Sequence, residues 1–179
     1  FATYHPGPTI NPRKPGHTPG GSSSGSAAVV ADGQADIALG TQTAGSMIRP
    51  GSFCGTLAFK PTFGRYPLAG VLETAPNLDT LGLFARTLDL LQRADTALTG
   101  EDACSAPHQP LKVGLCRSPA WDKASAEMQQ ATIAFADTLA KVGCVVSEVT
   151  LPEPFERLGD AQALIHRKEA SDVLGHIRR

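Results

Sequence analysis

The clearest hydrophobic periodicity lies in the second half of the chain. Met128, Ala131, Phe135, Leu139 and Val142 recur at helical spacing, which predicts a helix with one apolar face. Ser125 stands where an N-cap belongs, Glu127 puts a carboxylate in the first turn, and Gly143 supplies a C′ stop. The apolar run 111–116 ahead of this helix predicts a strand, as does 145–151 behind it, where Val145, Val149 and Leu151 share one side. A last helix is predicted from Pro154, with Leu158, Ala161, Leu164 and Ile165 as its apolar positions.

The first half is less regular. Five prolines within residues 1–19 fix φ and remove donors, so this segment reads as extended. A Gly/Ser loop, 20–26, enters a helix of small residues, 27–31, capped by Ser24 or Ser26 and stopped by Gly33. Strands are predicted at 36–39 and 81–85, with another through 53–60 that Pro61 ends. Between them Gly40 to Ser46 turns, and 61–80, rich in Gly, Pro and Thr, forms an irregular excursion. Thr87 caps a helix through Leu88, Leu91, Ala94 and Leu98 that Gly100 closes, and a polar linker occupies 101–110. Strand and helix alternating at these lengths predict an α/β fold, a mixed β-sheet covered by helices on both faces.

Composition adds exclusions. Apolar residues make up 41% of the chain and charged ones 18%, which suits a packed core and argues against disorder. A formal net charge of -1 gives no basic footprint, so no nucleic acid and no membrane surface is expected as a partner. No apolar run is long enough to span a bilayer. The four cysteines, Cys54, Cys104, Cys116 and Cys144, are widely spaced without a C-x-x-C pair, so no metal site is expected. They read as buried reduced thiols, which favours a cytoplasmic location.

Candidate chemistry concentrates in residues 20–46, GGSSSGSAAVVADGQADIALGTQTAGS. The Gly/Ser loop admits three readings on its residues. It is a flexible linker or helix entry. It is a phosphate cradle, since Gly20 and Gly25 have P-loop spacing, although Ser26 stands where a lysine is required. It is a nucleophile elbow, since Gly21-Ser22-Ser23-Ser24-Gly25 matches G-x-S-x-G with Ser23 at its centre. No apolar strand precedes the loop, which counts against both the cradle and the elbow, and His108, His166 and His176 look like solvated residues rather than bases.

Four motifs in order change this balance: HTPGGSSSGSAA at 17–28, ALGTQTAGSMIRPGSFCG at 38–55, LAFKPTFGR at 57–65 and LDTLGLFARTLDLL at 78–91. Together they resemble the amidase signature family, whose machinery is a Ser–cis-Ser–Lys triad. The resemblance implies Ser46 as nucleophile and Ser22 as proton relay, with a cis Gly21–Ser22 peptide bond. It implies that backbone N–H groups of Thr43, Ala44, Gly45 and Ser46 form the oxyanion hole, with Gly20, Gly21 and Ser23 as the supporting loop. It implies a small-molecule amide as substrate and no cofactor. Ala44 departs from the glycine usual in the family, and Arg49 falls one place later than in the commonest motif.

The resemblance also implies a catalytic lysine upstream of the Gly/Ser loop. Lys14 and Lys60 match neither its position nor its context, and Lys60 belongs to a motif with a structural role. The expectation is therefore that residues 1–179 are the central part of a single amidase signature domain, with the lysine and the C-terminal part outside the sequence. Apolar surface left exposed, and a complementary chain or homo-oligomer as partner, follow from that expectation. So does an alternative: a catalytically inactive segment with a structural or binding role. Phe53, Phe63 and Leu72 are candidates for an acyl pocket, with core packing as their expected job.

Overall fold

The computed structural model describes residues 7–101 and 109–175. In chain order the elements are α1 (Ser24–Ala31), β1 (Ile37–Gln42), α2 (Ile48–Cys54), β2 (Leu57–Phe59), β3 (Thr80–Ala85), α3 (Leu88–Thr99), β4 (Lys112–Cys116), α4 (Ala126–Lys141), β5 (Val145–Val149) and α5 (Leu158–Gly175). Short 3₁₀ turns at Trp121–Lys123 and Glu153–Arg157 precede α4 and α5. The described residues divide into two units, one drawn from 1–103 and 162–179, the other from 104–161.

In the first unit, β3 is the central strand of a three-stranded antiparallel sheet, flanked by β1 and β2. Every residue of β3 is buried, because both of its faces are covered. Phe84 points to the side of α1 and α2, where it packs with Ala27, Val30, Met47 and Cys54. Leu81, Leu83 and Ala85 point to the other side and pack with Tyr66 and with Leu91 of α3. This alternation follows from the two-residue period of a strand, and a strand buried on both faces reads as a continuous apolar run. Burial of a side chain such as Phe84 contributes about 1.5–3 kcal/mol.

The excursion 61–80 holds no strand or helix before Thr80, as its composition predicts. It is fastened to α3 by polar contacts instead. Arg65 donates to both carboxylate oxygens of Asp95, Nε to Oδ1 at 2.9 Å and Nη2 to Oδ2 at 2.7 Å, and the Tyr66 hydroxyl donates to Oδ1. The hydrogen bond from Arg65 holds the Asp95 carboxyl below its ordinary range.

Helix ends follow the local code. Thr87 accepts from the Leu90 amide and Ser125 from the Met128 amide, while Gly100 closes α3 in the left-handed region. Gly33 and Gly143 follow the caps of α1 and α4 with positive φ. At the start of α1 the expected caps, Ser24 and Ser26, lie inside the helix, and the N-cap position falls on Ser23. One prediction is corrected. Residues 53–60 are not one strand: Phe53 and Cys54 end α2, Gly55 turns with φ of 67°, and only Leu57–Phe59 pair with β3. Local pattern could not show this, because α2 starts where the Gln42 side chain, reaching from β1, accepts its first amides.

The second unit is a parallel pair, β4 beside β5, joined through α4. The α/β class is thus met with antiparallel pairing in one sheet and parallel pairing in the other. The predicted apolar face of α4 is largely open: Met128, Phe135 and Val142 are exposed, while Ala136 is the buried position. Arg117 of this unit bonds Glu148 with both terminal nitrogens and lies 5.9 Å from the centre of the Trp121 ring. No helix among the described residues is long and apolar enough to cross a membrane.

Gly82 of β3 shows how tightly the first unit is closed. A Cβ there would sit 2.3 Å from the Phe59 carbonyl oxygen and 2.6 Å from Met47 Sδ. The carbonyl is backbone within the β2–β3 ladder, so the strands themselves would have to part. Gly82→Ala is expected to destabilise the chain by about 1–3 kcal/mol, read as a lower midpoint in urea. An unchanged midpoint would contradict this packing.

Candidate active site

The two small-residue turns predicted to matter come together in the first unit. The Ser23 amide donates to the Ser46 carbonyl at 3.2 Å. The Ser23 hydroxyl then bonds Thr41 twice, donating to its carbonyl and accepting from its amide, each at 3.2 Å. Ser23 therefore stitches the start of α1 to β1 and to the turn beyond it. A hydroxyl so engaged is a fastening and not the free centre of a nucleophile elbow. No strand precedes the loop among residues 7–19, so neither the P-loop nor the elbow context is present in them.

Glycines allow this approach. A Cβ on Gly40 would meet the Phe84 ring at 2.7 Å and Ser23 Oγ at 2.9 Å. Gly20 has φ of 78°, and a Cβ there would meet Pro50 Cα at 2.9 Å, so the Gly/Ser loop lies directly against α2. The Gly21–Ser22 peptide bond is cis, as the resemblance implies. Gly21 is buried and Ser22 is exposed, while Ser46 is partly buried.

The segment Thr43 to Ser46 is gripped at both ends. On one side, Gln42 Oε1 accepts from the amides of Met47 at 2.9 Å and Ile48 at 3.1 Å, capping α2. On the other, the Thr43 hydroxyl donates to Asp79 Oδ1 at 2.5 Å. Asp79 Oδ2 accepts from the Thr74 amide at 2.6 Å, the Thr74 hydroxyl at 3.2 Å and the Ala75 amide at 2.9 Å. Burial pushes the Asp79 carboxyl up, and the hydrogen bonds from Thr43, Ala75 and Thr74 outweigh it, so its pKa is lowered. The Arg49 side chain returns over the turn, with Nη2 3.1 Å from where a Gly45 Cβ would be.

Several expectations are corrected here. Phe53, Phe63 and Leu72 are exposed rather than packed in the core. Of the cysteines, Cys54 is buried and burial pushes its thiol up, but Cys116 and Cys144 are partly exposed, and Cys104 lies outside the described residues. All three described cysteines are free. His166 is partly exposed, while His108 and His176 lie outside the described residues. Lys60 donates to the Pro61 carbonyl, a local contact consistent with a structural role. No cluster of three or more metal-ligating side chains exists among the described residues. Sequence reasoning missed Gln42 and Asp79. The ladder would have found Asp79: Gln42 pairs with Thr80, so one step further places Asp79 opposite Thr43.

An antiparallel sheet with α1 and α2 on one face and α3 on the other thus carries two serine turns joined beside β1. The Amidase family model matches residues 2–176, and the chain belongs to that family. It is 38% identical over 162 residues to a glutamyl-tRNA(Gln) amidotransferase subunit of Synechococcus sp. strain RCC307, covering 82% of this chain and 33% of that protein. To the corresponding subunit of Deinococcus radiodurans it is 36% identical over 183 residues, 94% of this chain and 38% of the relative. Among solved structures, an amidase superposes with a TM-score of 0.87 at 30% identity, covering 95% of this chain and 39% of the other. The equivalent glutamyl-tRNA(Gln) amidotransferase subunit of Thermotoga maritima gives 0.81 at 26% identity, covering 92% and 40%. The chain thus spans only 33% to 38% of these two curated relatives' length.

Asp79 makes stability depend on acid. Its folded pKa lies below the unfolded value of about 3.9. Its contribution is therefore present above the unfolded value and is lost as pH falls through the folded one. Urea midpoints are expected to fall as pH is lowered from 6 to 3, with a shallower fall in Asp79→Asn. Equal slopes in the two proteins would show that another group is responsible.

Proposed function

We propose that this chain carries the nucleophile and the proton relay of an amide-bond hydrolase. The observation that supports it most is the Ser23 amide bound to the Ser46 carbonyl, which brings the turns of Ser22 and Ser46 to one place. Family membership and the cis Gly21–Ser22 bond support the same reading.

In this mechanism Ser46 Oγ attacks the carbonyl carbon of a carboxamide. Its proton passes through the Ser22 hydroxyl to a neutral base, because a serine hydroxyl is a poor nucleophile until deprotonated. Amides of Thr43, Ala44, Gly45 and Ser46 stabilise the oxyanion, where one donor is typically worth about 3 kcal/mol of barrier. The Gln42 cap engages Met47 and Ile48 and leaves those four outside its reach. The tetrahedral intermediate collapses, the C–N bond breaks, and the nitrogen leaves as ammonia or an amine with the relayed proton. Water, deprotonated through the same relay, then attacks the acyl-serine ester and releases the carboxylate.

The base is a lysine supplied from outside residues 1–179, which serve as the central part of an amidase domain. Ser22 is exposed and open to such a group. A complementary polypeptide as partner is supported by the relatives named above, which are subunits of an amidotransferase. The open face of α4, with Met128, Phe135 and Val142 exposed, favours a second reading: a binding segment without catalysis of its own.

A fluorophosphonate probe separates the two. With the lysine-bearing part of the domain present, labelling is expected, absent in Ser46→Ala and slowed roughly a hundredfold in Ser22→Ala. No labelling of that folded, base-containing domain would overturn the catalytic reading in favour of the binding segment.

A further inference from the structure

Beyond the nucleophile and relay, the structure assigns a positioning pair: Asp79 and Thr43 form a clamp that fixes the turn carrying Ser46. The inference rests on Ser46 being the reactive serine. The clamp itself follows from register, burial and hydrogen bonding.

The β1–β3 ladder ends at Gln42 opposite Thr80. Beyond that pair no strand bonding restrains the turn from Thr43 to Ser46, which must nonetheless hold its backbone in place. Opposite residues of an antiparallel pair put their side chains on the same face, within about 4.5–5.5 Å at Cβ. Asp79 and Thr43 occupy that next opposing position, and the Thr43 hydroxyl reaches Asp79 Oδ1. The ladder is thus prolonged by one side-chain rung.

Asp79 is well placed to serve as an anchor. It is only 5% exposed, and Oδ2 is already fixed by the Thr74 amide, the Thr74 hydroxyl and the Ala75 amide. Its own amide donates to the Ala75 carbonyl at 2.8 Å, so the carboxylate cannot swing without opening that loop. The loop is tied again at Asn77, whose amide and side-chain Nδ2 both donate to Glu169 of α5. The Gln162 side chain of the same helix reaches the Thr43 carbonyl at 3.5 Å. Asp79 thus transmits the rigidity of the 74–79 loop to Thr43, while Gln42 holds the far end of the turn at Met47 and Ile48. Misplacing a reacting group by about 1 Å can cost a hundredfold in rate, so a turn held at both ends is what a nucleophile requires.

Thr43→Val tests the clamp, because it removes the hydroxyl and keeps the shape. Thr43→Ser is its rescue. Amide hydrogen exchange of the segment 43–48 is read on the intact chain, and it needs no reaction at Ser46, so failure of the hydrolase reading leaves this measurement standing. Exchange in 43–48 is expected to quicken about tenfold in Thr43→Val and to return in Thr43→Ser, with α1 and α3 unchanged in both. Fluorophosphonate labelling is expected to slow about tenfold in Thr43→Val, again with recovery in Thr43→Ser. Unchanged exchange in 43–48 overturns the clamp. So does exchange that quickens evenly across the whole first unit, since Thr43 would then serve bulk stability alone. Slow labelling that Thr43→Ser fails to recover overturns it as well.

Discussion

One short stretch of backbone and one hydroxyl hold the candidate site together. The amide of Ser23 binds the Ser46 carbonyl, and the hydroxyl of Ser23 bonds the last-but-one residue of β1. With either removed, only the packing behind them would keep the Gly/Ser loop beside the second turn. The packing around it obeys that constraint. Gly40 has no side chain because Ser23 and the Phe84 ring fill that space, and Gly20 has none because Pro50 does. Phe84 in turn closes the cluster that joins α1, α2 and β3. A hydrogen bond of this kind contributes about 1 kcal/mol by itself. Its importance is positional, since the larger apolar burial behind it fits only one placement of the turns.

The sheet adds direction. β3 is buried on both faces and pairs on both edges, so it is the least movable element of the first unit. Its register with β1 decides which residues face each other at the ends of the strands. One residue beyond the ladder, that register sets a carboxylate against the threonine that opens the serine turn. A one-residue slip would send Asp79 to the opposite face of the sheet. Core packing thereby fixes the polar geometry of the site.

Much of this was legible in the chain. Caps at Thr87 and Ser125, glycine stops at 33, 100 and 143, and the apolar run of β3 each depend on neighbours within a few residues, so local pattern suffices. The serines were legible as a pair, through motif spacing and family resemblance. The failures share one cause. Residues 53–60 look like a strand because Phe, Cys, Leu, Ala and Phe suit one, yet a side chain from β1 caps a helix that claims Phe53 and Cys54. Phe53, Phe63 and Leu72 look like core by residue type, but type alone does not say which apolar positions a neighbouring element covers. The α4 stripe fails in the same way, with Ala136 inward and Phe135 outward.

The sequence by itself determined most of the elements, the caps at Thr87 and Ser125, the α/β class and the two serine turns, because each rests on periodicity, backbone restriction or short motifs. It did not determine that Ser23 bonds Thr41 of β1, that Gln42 starts a helix, or that Asp79 faces Thr43. Those outcomes join residues 18, 5 and 36 positions apart. They were decided by sheet register and by the close approach that glycine permits, and both exist only once the strands have paired.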